Sequence, residues 1–248
     1  MKPKLYILIG LMLVGLTACQ RKQTYFAYYE AGTIRVDEKI KSEDSTTLAM
    51  IQPYKVKLDE RMNEVIGQNK EELVKAKPGS NLTNWMADAM ADSYERQARE
   101  KLDFVVANYG GIRINSVAAG DITLGKLYEI MPFENALVVM DLNGSQVKLL
   151  LDRLAAYGGW PVSAGLQFTI QDSMAIDIRI QDKPWAATGQ YRIGLPDYVA
   201  NGGDDCDFLK PLPRVNTGML VRDLLISDVK RNKMIVASKE ERIKKIQP

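Results

Sequence analysis

Apolar residues along the chain switch between two spacings, and the switches mark where helices and strands begin. Leu82, Trp85, Met86, Ala89 and Met90 fall at i, i+3, i+4, i+7 and i+8, the stripe of an amphipathic helix over 81–100. Ser80 or Asn81 can cap its start, just after the turn Lys77-Pro78-Gly79-Ser80. Leu48, Ile51, Tyr54 and Leu58 also keep a helical spacing, interrupted by Pro53. Proline is tolerated in a first turn, so this helix is predicted to begin near Gln52. Shorter helices are predicted over 124–130, from Asn143-Gly144 through Ala156, and as an amphipathic closing segment over 216–229.

Between these lie extended segments. Thr33 to Asp37 alternates polar and apolar residues, and 64–67 begins another strand. Asp103-Phe104-Val105-Val106-Ala107 is a nearly continuous apolar run, the mark of a strand covered on both faces. Further strands are predicted over 137–142, 166–170, 176–180 and 191–195. Helices and strands mix without strict alternation and without an internal repeat. That favours an α+β fold, a mixed sheet with flanking helices.

Composition narrows the chemistry. The 248 residues are 46% apolar, enough for one sizeable domain, placed here at 33–248. Lys+Arg number 33 against 31 Asp+Glu, so bulk charge gives no reason to expect a nucleic acid polymer as partner. Histidine is absent altogether. That excludes Ser-His-Asp and Cys-His catalysis and any His-ligated metal centre within this chain.

The amino terminus reads as an address. Lys2 and Lys4 precede an apolar run from Leu5 to Leu16, too short to span a bilayer comfortably, followed by Thr17-Ala18-Cys19. Leu16-Thr17-Ala18-Cys19 resembles a bacterial lipobox. Residues 1–18 are therefore expected to be a lipoprotein signal peptide, and Cys19 the lipidated first residue of the mature chain. The protein is expected in the cell envelope, held to a membrane through that anchor and facing the periplasm. Residues 19–32, with Tyr25, Phe26, Tyr28 and Tyr29, read as a tether. Cys206 is then the single thiol of the mature chain and is expected to be a small packed residue. The basic stretch Lys239 to Lys245 is expected to be a solvated face.

Three Gly-bearing segments could carry chemistry. Gly120 to Lys126 has P-loop spacing, but Leu127 stands where magnesium needs Ser or Thr. It reads better as a turn into a helix capped by Thr123. Asn201-Gly202-Gly203-Asp204-Asp205-Cys206-Asp207 clusters carboxylates without the alternating ligands of an EF-hand. Its aspartates can bond their own turn, or one of them can accept sugar hydroxyls. Asn108-Tyr109-Gly110-Gly111-Ile112-Arg113 follows the buried strand, at the carboxyl end where ligand sites collect. It offers an amide and an anion fork, and reads equally well as a glycine turn with a surface arginine.

In order and spacing, five segments resemble the C-terminal domain of the 5′-nucleotidase family: 81–90, Asn108 to Arg113, Gly120 to Thr123, Met131-Pro132-Phe133-Glu134-Asn135, and Tyr198 to Asp204. The resemblance runs from about residue 33 to 232. It implies a domain that holds a nucleotide or nucleoside. Phe133 and Tyr198 would sandwich the base, Asn108 and Arg113 would supply polar and anionic contacts, Asp204 would bind the ribose, and Gly165 would lie along the pocket wall. Offset stacking between aromatic faces suits a flat base without a sequence code. Where the family often has an arginine and a glutamate, Lys75-Ala76-Lys77-Pro78 stands here, so one anionic clamp is missing or replaced by lysine.

The family's catalytic domain is a two-metal phosphoesterase, for which this chain has neither upstream room nor histidine. The implied role is the substrate-binding half of a split 5′-nucleotidase. No cofactor is expected in this chain, and divalent metals only in a separate metallophosphatase chain. The alternative is a non-catalytic envelope lipoprotein that binds nucleotides or serves as an interaction module.

Overall fold

A four-stranded sheet divides the interior into two cores. In the computed structural model, which describes residues 44–246 together with Gly32, Thr33 and Arg35, helix α1 (Ser45–Met62) leads into β1 (Val65–Asn69) and β2 (Leu73–Val74). Helix α2 (Asn81–Ala98), β3 (Phe104–Val105), β4 (Ser116–Val117) and β5 (Gly120–Thr123) follow, then helix α3 (Leu124–Ile130), β6 (Ala136–Asn143) and helix α4 (Gly144–Ala156). The chain continues through β7 (Leu166–Gln171), β8 (Met174–Ile180), β9 (Lys183–Pro184), β10 (Gln190–Pro196) and the short helix α5 (Asp197–Ala200). It ends with β11 (Val215–Leu220), helix α6 (Val221–Asn232), β12 (Met234–Ile235) and β13 (Ile243–Lys245). Helices and mixed sheets together make the α+β class. Ala49–Pro248 forms one compact unit. The expected signal peptide, Cys19 and the aromatic tether lie outside the described residues, as does most of the strand expected at 33–37.

The dividing sheet has the order β11-β6-β10-β3. Successive side chains of a strand point to opposite faces. Accordingly, Leu137 and Val139 enter one core while Val138, Met140 and Leu142 enter the other. Val105 and Ala107 likewise face the first core, and Phe104 and Val106 the second. Burial on both faces is the physical reason these strands are apolar without alternation. Helices α2, α3 and α6 cover the first face; α4 and the β7–β8 pair cover the second.

Local chemistry sets the boundaries. Ser80 and Thr83 form a capping box at the start of α2, and Asn143 and Gln146 exchange 2.9 Å bonds at the start of α4. Thr123 Oγ1 accepts from the Lys126 amide at 3.2 Å, so Gly120 to Lys126 is a strand-to-helix turn.

Three expectations need correction. Helix α1 starts at Ser45 rather than near Gln52, because Asp44 accepts from the Thr46 amide at 2.9 Å and from the Thr47 hydroxyl at 2.8 Å. Pro53 is tolerated inside it because the helix is exposed and water can satisfy the freed Ala49 carbonyl. The segment 216–220 is not helical: it belongs to β11, which pairs with β6 around a bulge, and the helix begins at Val221. The tail at 239–245 is not simply a solvated face. Ile243–Lys245 adds β13 beside β7, and Arg242 is buried, bonding both carboxylate oxygens of Asp88 at 2.7 and 2.9 Å and the Val162 carbonyl at 2.8 Å. Lys239, Lys244 and Lys245 remain exposed, as expected; Arg242 alone of the basic residues is buried, and its charge finds a carboxylate partner there.

Candidate nucleotide-binding site

Strand directions bring three loops to one edge of the dividing sheet. Strands β3 and β10 run parallel, with Phe104 beside Ile193 and Val105 beside Gly194, so their carboxyl ends emerge together. Strand β6 runs antiparallel to β10, with Leu137 opposite Pro196, so the chain enters β6 from that same edge. The loops 108–113, 131–135 and 197–205 therefore converge. Between them lies a cavity of about 320 Å³ lined by Asn108, Gly110, Arg113, Phe133, Asn135, Tyr198 and Asp204. That is at the small end of the range of ligand pockets.

Five of the six residues expected to touch substrate line this cavity. Gly165 does not. Its carbonyl accepts from the Gln181 amide, and a Cβ there would strike the Asp103 carbonyl, so it serves close packing beside β3. Asn135 joins the lining instead; it stands within the motif Met131 to Asn135.

Phe133 and Tyr198 are large aromatic side chains left 40% and 44% exposed. They do not pair with each other; among the described residues the aromatic pair is Tyr157–Trp160. The faces of both rings are thus not taken by a second ring. Gly203 sits against the Tyr198 ring, where any Cβ would collide with it. Gly202, at φ 89°, takes a left-handed conformation that glycine adopts without steric cost.

The polar groups are arranged around the rings. The Arg113 guanidinium carbon lies 5.5 Å from the centroid of Phe133, and Nη1 is 3.4 Å from the Gly110 carbonyl. Asn108 is buried, and its Oδ1 has no hydrogen-bond partner. A Cβ on Gly111 would come within 3.0 Å of that oxygen, so the glycine leaves the amide its room. Asp204 accepts the Tyr198 hydroxyl at 3.3 Å. Desolvation, with the Asp204 charge second, raises the Tyr198 pKa above its ordinary value, which keeps the phenol a donor.

The aspartates of the Gly-rich loop point to different partners. Asp204 takes Tyr198, Asp205 takes the Tyr157 hydroxyl at 3.0 Å, and Asp207 pairs with Lys210 at 2.5 Å. They do not converge on a common point as a calcium loop requires. Cys206 between them is fully buried, and burial pushes its pKa up to about 12, as expected of a packed thiol.

Positive charge collects beside the cavity. Lys75 and Lys77 place their ammonium groups 4.2 and 4.8 Å from the centroid of Tyr109. Lys75 also donates to the Ile112 carbonyl at 2.7 Å. Desolvation lowers the Lys75 pKa, and the charges of Arg113 and Lys77 lower it further. Neither lysine lines the cavity itself.

Sequence reasoning misses Arg222. It stands in the first turn of α6, 5% exposed, with Nη1 3.3 Å from the carbonyls of both Pro132 and Phe133. The local signal is obscured because the spacing over 216–229 reads as one helix, which hides the start of α6.

Comparison with known proteins identifies the fold and the family. Residues 64–211 match the family "5′-nucleotidase, C-terminal domain". A 5′-nucleotidase of Vibrio cholerae is 30% identical over 203 residues, 78% of this chain and 35% of that protein. Protein UshA of Salmonella pullorum is 32% identical over 146 residues, 57% of this chain and 26% of that protein. The crystal structure of a 5′-nucleotidase precursor from Thermus thermophilus superposes with a TM-score of 0.70 at 29% identity, covering 82% of this chain and 42% of that one. The chain thus spans about a third of the length of the curated relatives it matches.

Proposed function

The chain belongs to the 5′-nucleotidase C-terminal domain family, and on that premise we propose that it is the nucleotide-holding half of a split 5′-nucleotidase in the bacterial cell envelope. The observation that carries the reading is the cavity itself. Two exposed aromatic rings, a buried amide oxygen without a partner, an arginine fork and a carboxylate meet at one sheet edge. A base stacks on Phe133 and Tyr198. The ribose hydroxyls bond Asp204, whose two oxygens can accept them, and Arg113 reaches towards phosphate. Asn108 supplies a further polar contact.

Hydrolysis belongs, in this reading, to a separate metallophosphatase chain that holds the divalent metals. This chain contains no histidine. Among the described residues, no group of three or more Cys, Asp or Glu side chains is placed to hold an ion. Its own contribution is to bind and orient the nucleotide so that the phosphate faces the partner. Cys19 holds the protein to a membrane, facing the periplasm; among the described residues no helix is long and apolar enough to cross one. Cys19→Ser is expected to release the protein from the membrane fraction after a salt wash.

Calorimetry of the purified protein against a panel of nucleosides and nucleotides tests the central reading. Binding is expected without turnover of AMP, UMP or UDP-glucose in the presence of manganese, zinc or magnesium. No binding at millimolar ligand, alone and with a candidate metallophosphatase added, rejects it. Turnover that follows the protein through purification and is lost in Asp204→Ala rejects the division of labour.

A further inference from the structure

The first turn of α6 grips the loop that carries Phe133. The Val221 amide donates to the Asn135 carbonyl at 2.8 Å. Arg222 Nη1 lies 3.3 Å from both the Pro132 and the Phe133 carbonyls. A face of the guanidinium is occupied as well: its carbon sits 4.1 Å from the centroid of Tyr128, in α3. Arg222 therefore ties together the end of α3, the loop 131–135 and the start of α6.

The arrangement is costly. A cation in a first turn opposes the helix dipole. Arg222 is 5% exposed; its guanidinium is held by carbonyls and a ring rather than a carboxylate, and its Nε is buried with no partner. A buried polar group without partners destabilises a fold, and a methionine of similar length would fill the space without that cost. What the arginine adds is a fixed path for Pro132 and Phe133. The Phe133 ring belongs to neither core: it is 40% exposed beside the cavity, with the Arg113 guanidinium carbon 5.5 Å from its centroid. Its orientation must therefore be set largely through its backbone.

We propose that Arg222 is a positioning residue for base stacking: it does not touch the ligand, and it fixes the pitch of the Phe133 ring by clamping the two carbonyls before and at Phe133. The consequence for nucleoside binding rests on the pocket reading above; the effect on the ring does not. Arg222 lies beyond the stretch 64–211 that matches the family model.

The test uses 4-fluorophenylalanine incorporated throughout the full chain, with the Phe133 resonance assigned by Phe133→Leu. In Arg222→Met, without ligand, the Phe133 signal is expected to shift and broaden. The signals of Phe104 and Phe168, both buried in the second core, stay in place as internal controls. Arg222→Lys, which keeps the charge and one donor but not the fork, serves if the methionine variant does not fold. Nucleoside affinity is expected to fall roughly 3- to 30-fold in Arg222→Met, within the range of coupling between contacting residues. In a Phe133→Ala background the same change should have almost no further effect. An unmoved Phe133 resonance, or independent effects of the two substitutions on affinity, overturns the proposal. Absence of nucleoside binding by the wild-type protein rejects the pocket reading, and the fluorine spectrum then still decides whether Arg222 fixes the ring.

Discussion

Tyr198 donates its hydroxyl to Asp204 across 3.3 Å, so one proposed stacking ring is tied to the proposed ribose acceptor before any ligand arrives. A nucleoside must share or displace that bond to reach the carboxylate. Tyr198→Phe keeps the ring and releases the oxygen. A single such bond contributes about 0.5–1.5 kcal/mol net, and here its loss is offset by a freer acceptor. Nucleoside affinity in Tyr198→Phe is therefore expected to stay within roughly fivefold of wild type. Tyr198→Ala, which removes the ring face, should lose much more. Calorimetry that finds the two variants equally impaired would assign the role to the hydroxyl instead of the ring.

Burial of Asp228 gives a pH signature. Asp228 is 5% exposed; it accepts from the Trp85 indole at 3.2 Å and from Asn232 at 2.8 Å. Desolvation raises its pKa above the ordinary aspartate value, although the Trp85 bond and Arg96 act the other way. A raised carboxyl pKa means that the folded state holds the proton more readily than the unfolded chain, so this group favours folding less as pH rises through its folded value. Wild type should therefore gain stability relative to Asp228→Asn as pH falls from 7 towards 4. Denaturant titrations of both proteins at the two ends of that window measure the difference, and a constant gap between them rules the effect out.

Much of the site was legible because local sequence encodes it. The apolar run before Asn108 marks a strand buried on both faces, and its glycine-rich exit marks a loop at a carboxyl end. Cavity residues at 108, 113, 133, 198 and 204 all lie within short motifs. Gly165 misled because a glycine beside a pocket and a glycine under a strand look alike; its tight neighbour is the Asp103 carbonyl. The strand Val215–Leu220 was hidden by its bulge, where Gly218 at φ 69° breaks the alternation that would have declared it. Arg222 and Arg242 were illegible for another reason. Their partners lie about 90 and 154 residues away, and no local spacing announces that a charged side chain will be buried.

The Arg242–Asp88 pair turns that blind spot into a prediction. The guanidinium is 2% exposed and bidentate, and Asp88 also accepts the Ala164 amide at 3.0 Å. Removing Asp88 leaves the buried guanidinium only the 41% exposed Glu240, 3.2 Å from Nε, as counter-charge, so Asp88→Ala should destabilise the fold by about 3 kcal/mol. Pairing it with Arg242→Met should recover a large part of that loss, because no buried charge remains and Glu240 is left facing solvent. Thermal and denaturant unfolding of the single and double variants report this directly. Strictly additive losses would mean that the tail is held by β13 pairing and not by the ion pair.

The pocket itself makes the sharpest separation between a working site and ordinary packing. Loss of one stacking face costs about 1–3 kcal/mol per base, so Phe133→Ala should weaken nucleoside binding roughly 5- to 150-fold. Phe133 is 40% exposed, so little core packing is lost and the melting temperature should hardly move. Arg113→Ala should behave differently. Its guanidinium is engaged by one long bond to Gly110 and by the edge of the site at Phe133, which leaves donors free for an anion. A charge-assisted bond exists only where the ligand carries the charge. Arg113→Ala is thus expected to weaken nucleoside monophosphates several-fold more than the matching nucleosides, a preference that high salt would reduce. If nucleoside and nucleotide lose affinity in equal measure, Arg113 acts by steadying Phe133, and the phosphate must be held by another cation. Lys75 is then the first candidate, because its ammonium group lies beside the cavity, bonded to the Ile112 carbonyl next to Arg113.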